Sequence, residues 1–139
     1  MGKFIILLSI LSLCACNNET SISYQKHDYN EVENLHISYL DVFNIELEEY
    51  YIYYYQIDCY YCHGIKSKII EFSLREDVNL YFINIEKDEG FLSYTLEDTI
   101  GAADPYYAFC FKTPQLSKVV HQKVVDTYLG DKDILIIIE

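Results

Sequence analysis

The sequence predicts one α/β domain: a central mixed sheet of four to five strands flanked by helices. Three observations carry that prediction. An aromatic, β-branched run over residues 50–57 gives way to a helical period over 59–74 and a second β run over 78–85. Near the end of the chain, two more β runs, Gln115–Val120 and Lys123–Leu129, are separated only by His121-Gln122, which predicts a hairpin. The composition, 51% hydrophobic with 5 Gly and 2 Pro in 139 residues, suits one domain with a buried core and does not suit disorder.

Each element follows from local pattern. Residues 35–40 predict a first strand. Residues 41–49 predict a short helix with Val42, Phe43, Ile45 and Leu47 partly buried. The run over 50–57 is too evenly apolar for a half-exposed edge, so it predicts a central strand covered on both faces, broken by Asp58. Over 59–74, Ile65, Ile69, Ile70 and Phe72 share one helical face, while Lys66, Lys68, Glu71 and Arg75 take the other. Strand, helix and strand in succession make a βαβ unit with parallel strands and a right-handed crossover. Residues 86–101 are acidic, with one helix expected around 91–100, and Asp104-Pro105 marks a turn. Gly130 ends the last strand, Asp131 is the expected N-cap, and 132–139 form a closing helix.

Ahead of this domain, Lys3 and the apolar run over 4–13 have the form of a secretory signal, too short for a membrane-spanning helix. Leu13-Cys14-Ala15-Cys16, followed by polar Asn17-Asn18-Glu19-Thr20, resembles a bacterial lipobox. The resemblance implies cleavage after residue 15 and lipidation of Cys16, since Cys14 would put Leu13 at the cleavage position. Residues 1–15 are then a signal peptide, 16–34 a lipidated N-terminus and flexible tether, and 35–139 the domain. The expected location is the extracytoplasmic face of a cell membrane.

Charge narrows the partners. A net charge of −12, from 22 acids against 10 bases, with no basic stripe, opposes nucleic-acid binding. A monomer is expected.

Without Cys14 and Cys16, the cysteines left are Cys59, Cys62 and Cys110. Outside the cytoplasm a pair is expected to oxidise, and Cys110 reads as a buried apolar thiol. The motif is Asp58-Cys59-Tyr60-Tyr61-Cys62-His63. Two cysteines three apart in the first turn of a helix can close a small disulfide ring. The free amides and dipole of that turn favour a thiolate on Cys59, which makes Cys59 the nucleophile and Cys62 the resolving thiol. Tyr60 and Tyr61 read as an aromatic rim for substrate. His63 and Asp58 are possible modulators, of opposite sign.

Strand, CxxC, helix, strand and then Thr113-Pro114 resembles the thioredoxin-like superfamily, over residues 35–139. The resemblance implies that Thr113-Pro114 is the family's cis-proline dipeptide, packed against the disulfide, with Thr113 and Pro114 offering backbone to a substrate strand. It implies a thiol–disulfide oxidoreductase acting on exported protein thiols or disulfides, reset by a membrane redox partner and needing no bound cofactor. The chain departs from the family in its Tyr60-Tyr61 dipeptide, in lacking a Trp before Cys59, and in the long stretch between Ile85 and Thr113. Tyr53 also stands where thioredoxins place a buried acid.

Three other readings compete. Cys59 to His63 is formally the CxxCH haem c pattern, but Met1 is the only Met and leaves with the signal, so no Met axial ligand remains. Zinc on Cys59, Cys62 and His63 or Cys110 lacks a second ligand pair at finger-like spacing, and no metal is assigned. A non-enzymatic binding module with a structural disulfide is the main alternative. Opposing small terms around Cys59 place the expected reduction potential between about −270 and −180 mV.

Overall fold

The computed structural model describes residues 27–88, 95–109 and 112–139. Among these, four strands form one mixed sheet: β1 (Glu49–Tyr55), β2 (Leu80–Asn84), β3 (Gln115–Val120) and β4 (Lys123–Leu129). Their order is β2-β1-β3-β4. β1 runs parallel to β2 and antiparallel to β3, which forms an antiparallel hairpin with β4. The crossover between β1 and β2 is α1 (Tyr60–Ser73); α2 (Leu96–Thr99) precedes the hairpin, and α3 (Asp131–Ile138) follows it. The expected fold class stands, with four strands.

β1 is central and buried on both faces, which is why its sequence does not alternate between polar and apolar. Tyr53 and Tyr55 pack with α1 and α3, while Tyr50, Ile52 and Tyr54 lie in a second core with Val42, Ile83, Phe109, Val119 and Val124. The hydroxyl of buried Tyr50 donates to the Val42 carbonyl at 2.6 Å. The hairpin turns where expected. His121 (φ 48°) and Gln122 (φ 53°) are both left-handed, the pair of conformations that a two-residue turn matched to strand twist requires.

Several expectations are corrected. Residues 35–40 are not a strand: a single bridge, His36 to Phe82, is followed by a 3-10 turn, Tyr39–Asp41. No helix fills 41–49. Phe43, Ile45 and Leu47 pack at every second position in an extended approach to β1, a period of two that a helix cannot match. The expected tether over 16–34 is folded at its distal end. Asp28 caps a 3-10 helix, Tyr29–Leu35, through a capping box with Glu31, and Val32 is buried. The Tyr29 ring stacks on Tyr55 at 3.9 Å.

That segment also covers Lys66, expected on the solvent face of α1. Lys66 is buried, 3.2 Å from an Asp28 carboxylate oxygen and over the Tyr29 ring. His36 is held by the same segment. A carbonyl only accepts, so Nδ1 carries the proton given to Val32 O at 3.1 Å, and Nε2 accepts from the Tyr55 hydroxyl at 2.8 Å.

In the acidic stretch only the four-residue α2 forms within the described residues, opened by a Thr95–Asp98 capping box. The N-cap of α3 is Gly130 and not Asp131. Its φ of 83° disfavours any side chain, and Asp131 becomes the first helical residue, where its charge faces the helix dipole favourably. Cys14, Cys16, Phe91 and Cys110 lie outside the described residues.

Candidate active site

The site forms where β1 ends and α1 begins. Cys59 is the N-cap of α1, in extended conformation, and its sulfur accepts the Cys62 N–H at 3.1 Å. The two cysteines are joined as a disulfide with their Cα atoms 5.2 Å apart. Cys59 is partly exposed, whereas Cys62 is buried on the inner face of the helix. That asymmetry is chemically useful. A thiolate formed at Cys59 would keep the Cys62 N–H and the helix dipole, while a client could reach only the outer sulfur.

Thr113-Pro114 lies against this pair. The peptide bond is cis, and the Thr113 carbonyl oxygen is 3.6 Å from Cys59 Sγ. The Gly130 N–H donates to the Pro114 carbonyl at 2.9 Å, which ties the turn to the start of α3. A groove of about 380 Å³ opens beside it, lined by Tyr61, Lys112, Thr113, Leu129, Gly130 and Asp131 among others.

Of the remaining expected residues, Tyr60 is 83% exposed and Tyr61 56%, with their rings edge to face at 5.5 Å. They stand at the mouth as a rim and are not packed into the core. Asp58 and His63 are exposed on either side of the pair. The structure therefore gathers Asp58, Cys59, Tyr60, Tyr61, Cys62, His63, Thr113 and Pro114 at one end of the sheet. Cys16 and Cys110 lie outside the described residues.

Tyr53 belongs to the same core cluster as Cys62. Burial pushes its phenol well above the ordinary tyrosine value, with neighbouring Tyr29 and Tyr55 adding to the rise. Burial also raises Tyr55 to about 12. The core that holds Cys62 thus also contains phenols that keep their protons at neutral pH. Among the described residues no Asp or Glu is buried, and no cluster of three or more His, Cys, Asp or Glu has the spacing to hold a metal ion.

Sequence reasoning missed two residues. Glu86 accepts the Ile57 N–H at 2.8 Å, fixing the loop before the motif. Gln56 accepts the Thr113 hydroxyl at 2.8 Å, joining the two loops of the site. Neither has a sequence signal of its own; the Gln56–Thr113 pairing is legible only once the register of β1 on β3 is known.

Comparison of the sequence with protein-family models gave no match, and neither did comparison with curated proteins. Solved structures do match. Thioredoxin f2 of Chlamydomonas reinhardtii aligns with a TM-score of 0.53 at 16% identity, over 74% of this chain and 89% of that one. Mitochondrial thioredoxin 3 of Saccharomyces cerevisiae, in its oxidised form, aligns with a TM-score of 0.50 at 10% identity, over 73% and 87%. The fold of this chain is thioredoxin-like, and its paired cysteines are arranged for thiol–disulfide chemistry in general.

Proposed function

We propose that this protein is a membrane-anchored, extracytoplasmic thiol–disulfide oxidoreductase that acts on thiols or disulfides of exported proteins. The observation that carries the reading is the Cys59–Cys62 disulfide at the first turn of α1 with Thr113-Pro114 laid against it. Exposed Ile57, Tyr60 and Tyr61 around the outer sulfur support a protein client over a small one.

In the reducing direction, the Cys59 thiolate attacks one sulfur of a client disulfide and displaces a client thiolate. Cys62, having lost its proton, then attacks Cys59 Sγ, which releases the second client thiol and closes the Cys59–Cys62 bond. Two electrons pass from the pair to the client. The oxidising direction is the same sequence reversed, and a membrane redox partner resets the pair. No bound cofactor enters either direction. Anchoring rests on Cys16: Cys16→Ser should abolish lipid labelling and leave the precursor unprocessed, and loss of labelling in Cys14→Ser alone would move the anchor.

Equilibration with glutathione buffers, read by alkylation of Cys59, tests the activity. A potential between about −270 and −180 mV is expected. A pair that stays oxidised below about −300 mV would mark a structural disulfide and a non-enzymatic binding module.

A further inference from the structure

Backbone pairing between β1 and β3 ends at Tyr54 and Gln115. Continuing that register by two residues brings Gln56 opposite Thr113. The ladder cannot continue there, because Pro114 has no N–H to give. A side-chain bond takes its place: Thr113 Oγ1 donates to Gln56 Oε1 at 2.8 Å. Gln56 is itself built into the loop that carries the disulfide, since its carbonyl accepts the Cys59 N–H at 3.4 Å. The next residue, Ile57, is pinned to Glu86. On the far side, the Thr113 carbonyl stands 3.6 Å from Cys59 Sγ. One side-chain bond therefore links the cysteine-bearing loop to the turn against which a client strand would lie.

We infer that Gln56 is a positioning residue for substrate: by anchoring the Thr113 hydroxyl, it holds the Thr113-Pro114 backbone level with the Cys59 sulfur, ready to receive an extended peptide. The inference rests on the oxidoreductase reading above and goes beyond it by naming what presets the receiving surface. Without the bond the turn keeps the Gly130 tether at its other end but loses its link to the cysteine loop. A peptide must then order the turn as it binds, which weakens binding without altering the sulfurs. A small dithiol touches only the sulfur and is indifferent to the turn.

The test uses the oxidised protein in single turnover against two reductants. One is dithiothreitol; the other is a reduced peptide dithiol of about ten residues, whose two thiols lose two electrons to Cys59–Cys62 and close as the peptide disulfide. For Gln56→Leu the half-saturating peptide concentration should rise about three- to tenfold, the worth of one neutral hydrogen bond, with little change in the limiting rate. The dithiothreitol rate should change by less than about twofold, as expected for a bond that leaves the sulfurs in place. Thr113→Val removes the same bond from the other side, so a folding failure of either variant leaves the test standing. The double variant should be no worse than either single one, because one bond can be lost only once.

Unchanged peptide saturation in both single variants overturns the inference. Equal slowing with peptide and with dithiothreitol overturns it too, since the bond would then serve the disulfide and not the substrate. A wild-type protein that exchanges with dithiothreitol but never with peptide brings down the oxidoreductase reading and this inference with it.

Discussion

Val32→Ala asks whether the segment ahead of residue 35 is part of the domain. Val32 is 1% exposed and sits in the core cluster with Tyr53, Tyr55 and Phe82, although composition alone put it in a tether. The substitution removes two buried carbons, worth about 1.6 kcal/mol by transfer. The cavity left behind adds to that, so the expected loss is about 2 kcal/mol. For a domain of this size, that lowers Tm by about 8 °C. The loss has a ceiling. Ordering costs about 1–2 kcal/mol per residue, so a segment stripped of its anchors will detach, and further substitutions on it will then cost nothing. Tyr29→Ala, which removes the stack on Tyr55, should add to Val32→Ala less than it costs alone. Thermal unfolding by circular dichroism, with limited proteolysis around residue 30, reads both effects. A Tm unchanged by Val32→Ala would show the segment to be an adherent tether, and the folded boundary would return to residue 35.

Two further predictions concern stability. Tyr50 and Tyr55 are each raised to about 12, mainly by burial, and burial raises Tyr53 as well. Their folded-state values exceed the unfolded one, so the stability they contribute is full below about pH 10 and is lost as pH climbs through the folded values. Cooperative alkaline unfolding between about pH 10 and 12 is therefore expected, with tyrosinate absorbance rising as circular dichroism falls. Tyrosinate that forms without unfolding would refute the burial argument. Gly130 has φ 83° and ψ 167°, and a Cβ there would meet nothing within 4 Å. Gly130→Ala should thus cost about 1–3 kcal/mol through backbone strain alone, read by urea denaturation, and a neutral result would show the turn to be pliable.

How much was legible depends on where the signal is stored. β1, α1 and β2 were readable because each carries its own periodicity, and the hairpin was readable because two residues between β runs leave one geometry. The segment over 28–34 was not. Its polar residues cap and pair, and its few apolar ones are buried only because Tyr55 and Lys66 lie across from them in the fold. Lys66 was misplaced for the same reason: a helical face is solvent-exposed until something covers it. The cysteine pair and Thr113-Pro114 stood out in the sequence by residue type and spacing. Gln56 did not, since its meaning comes from a register 57 residues long in the chain.

Tyr53, standing in place of a buried acid, bears on how protons leave the site. For Cys62 to attack Cys59 and resolve a mixed disulfide, it must lose its proton while buried. A buried carboxylate would take that proton internally, but among the described residues no Asp or Glu is buried, and the phenol of Tyr53 is raised well beyond neutrality. A group that holds its own proton so firmly cannot accept another's. The Cys62 proton is therefore expected to leave to water, with resolution running through whatever thiolate fraction the solvent allows. A buried thiol has a pKa at or above about 8.5, so that fraction grows about tenfold per pH unit through neutrality. The rate at which a preformed mixed disulfide at Cys59 resolves should then climb with a slope near one on a logarithmic scale between about pH 6 and 8. Acid quenching and separation of the mixed disulfide measure it directly. A rate flat across that range would reveal an internal base.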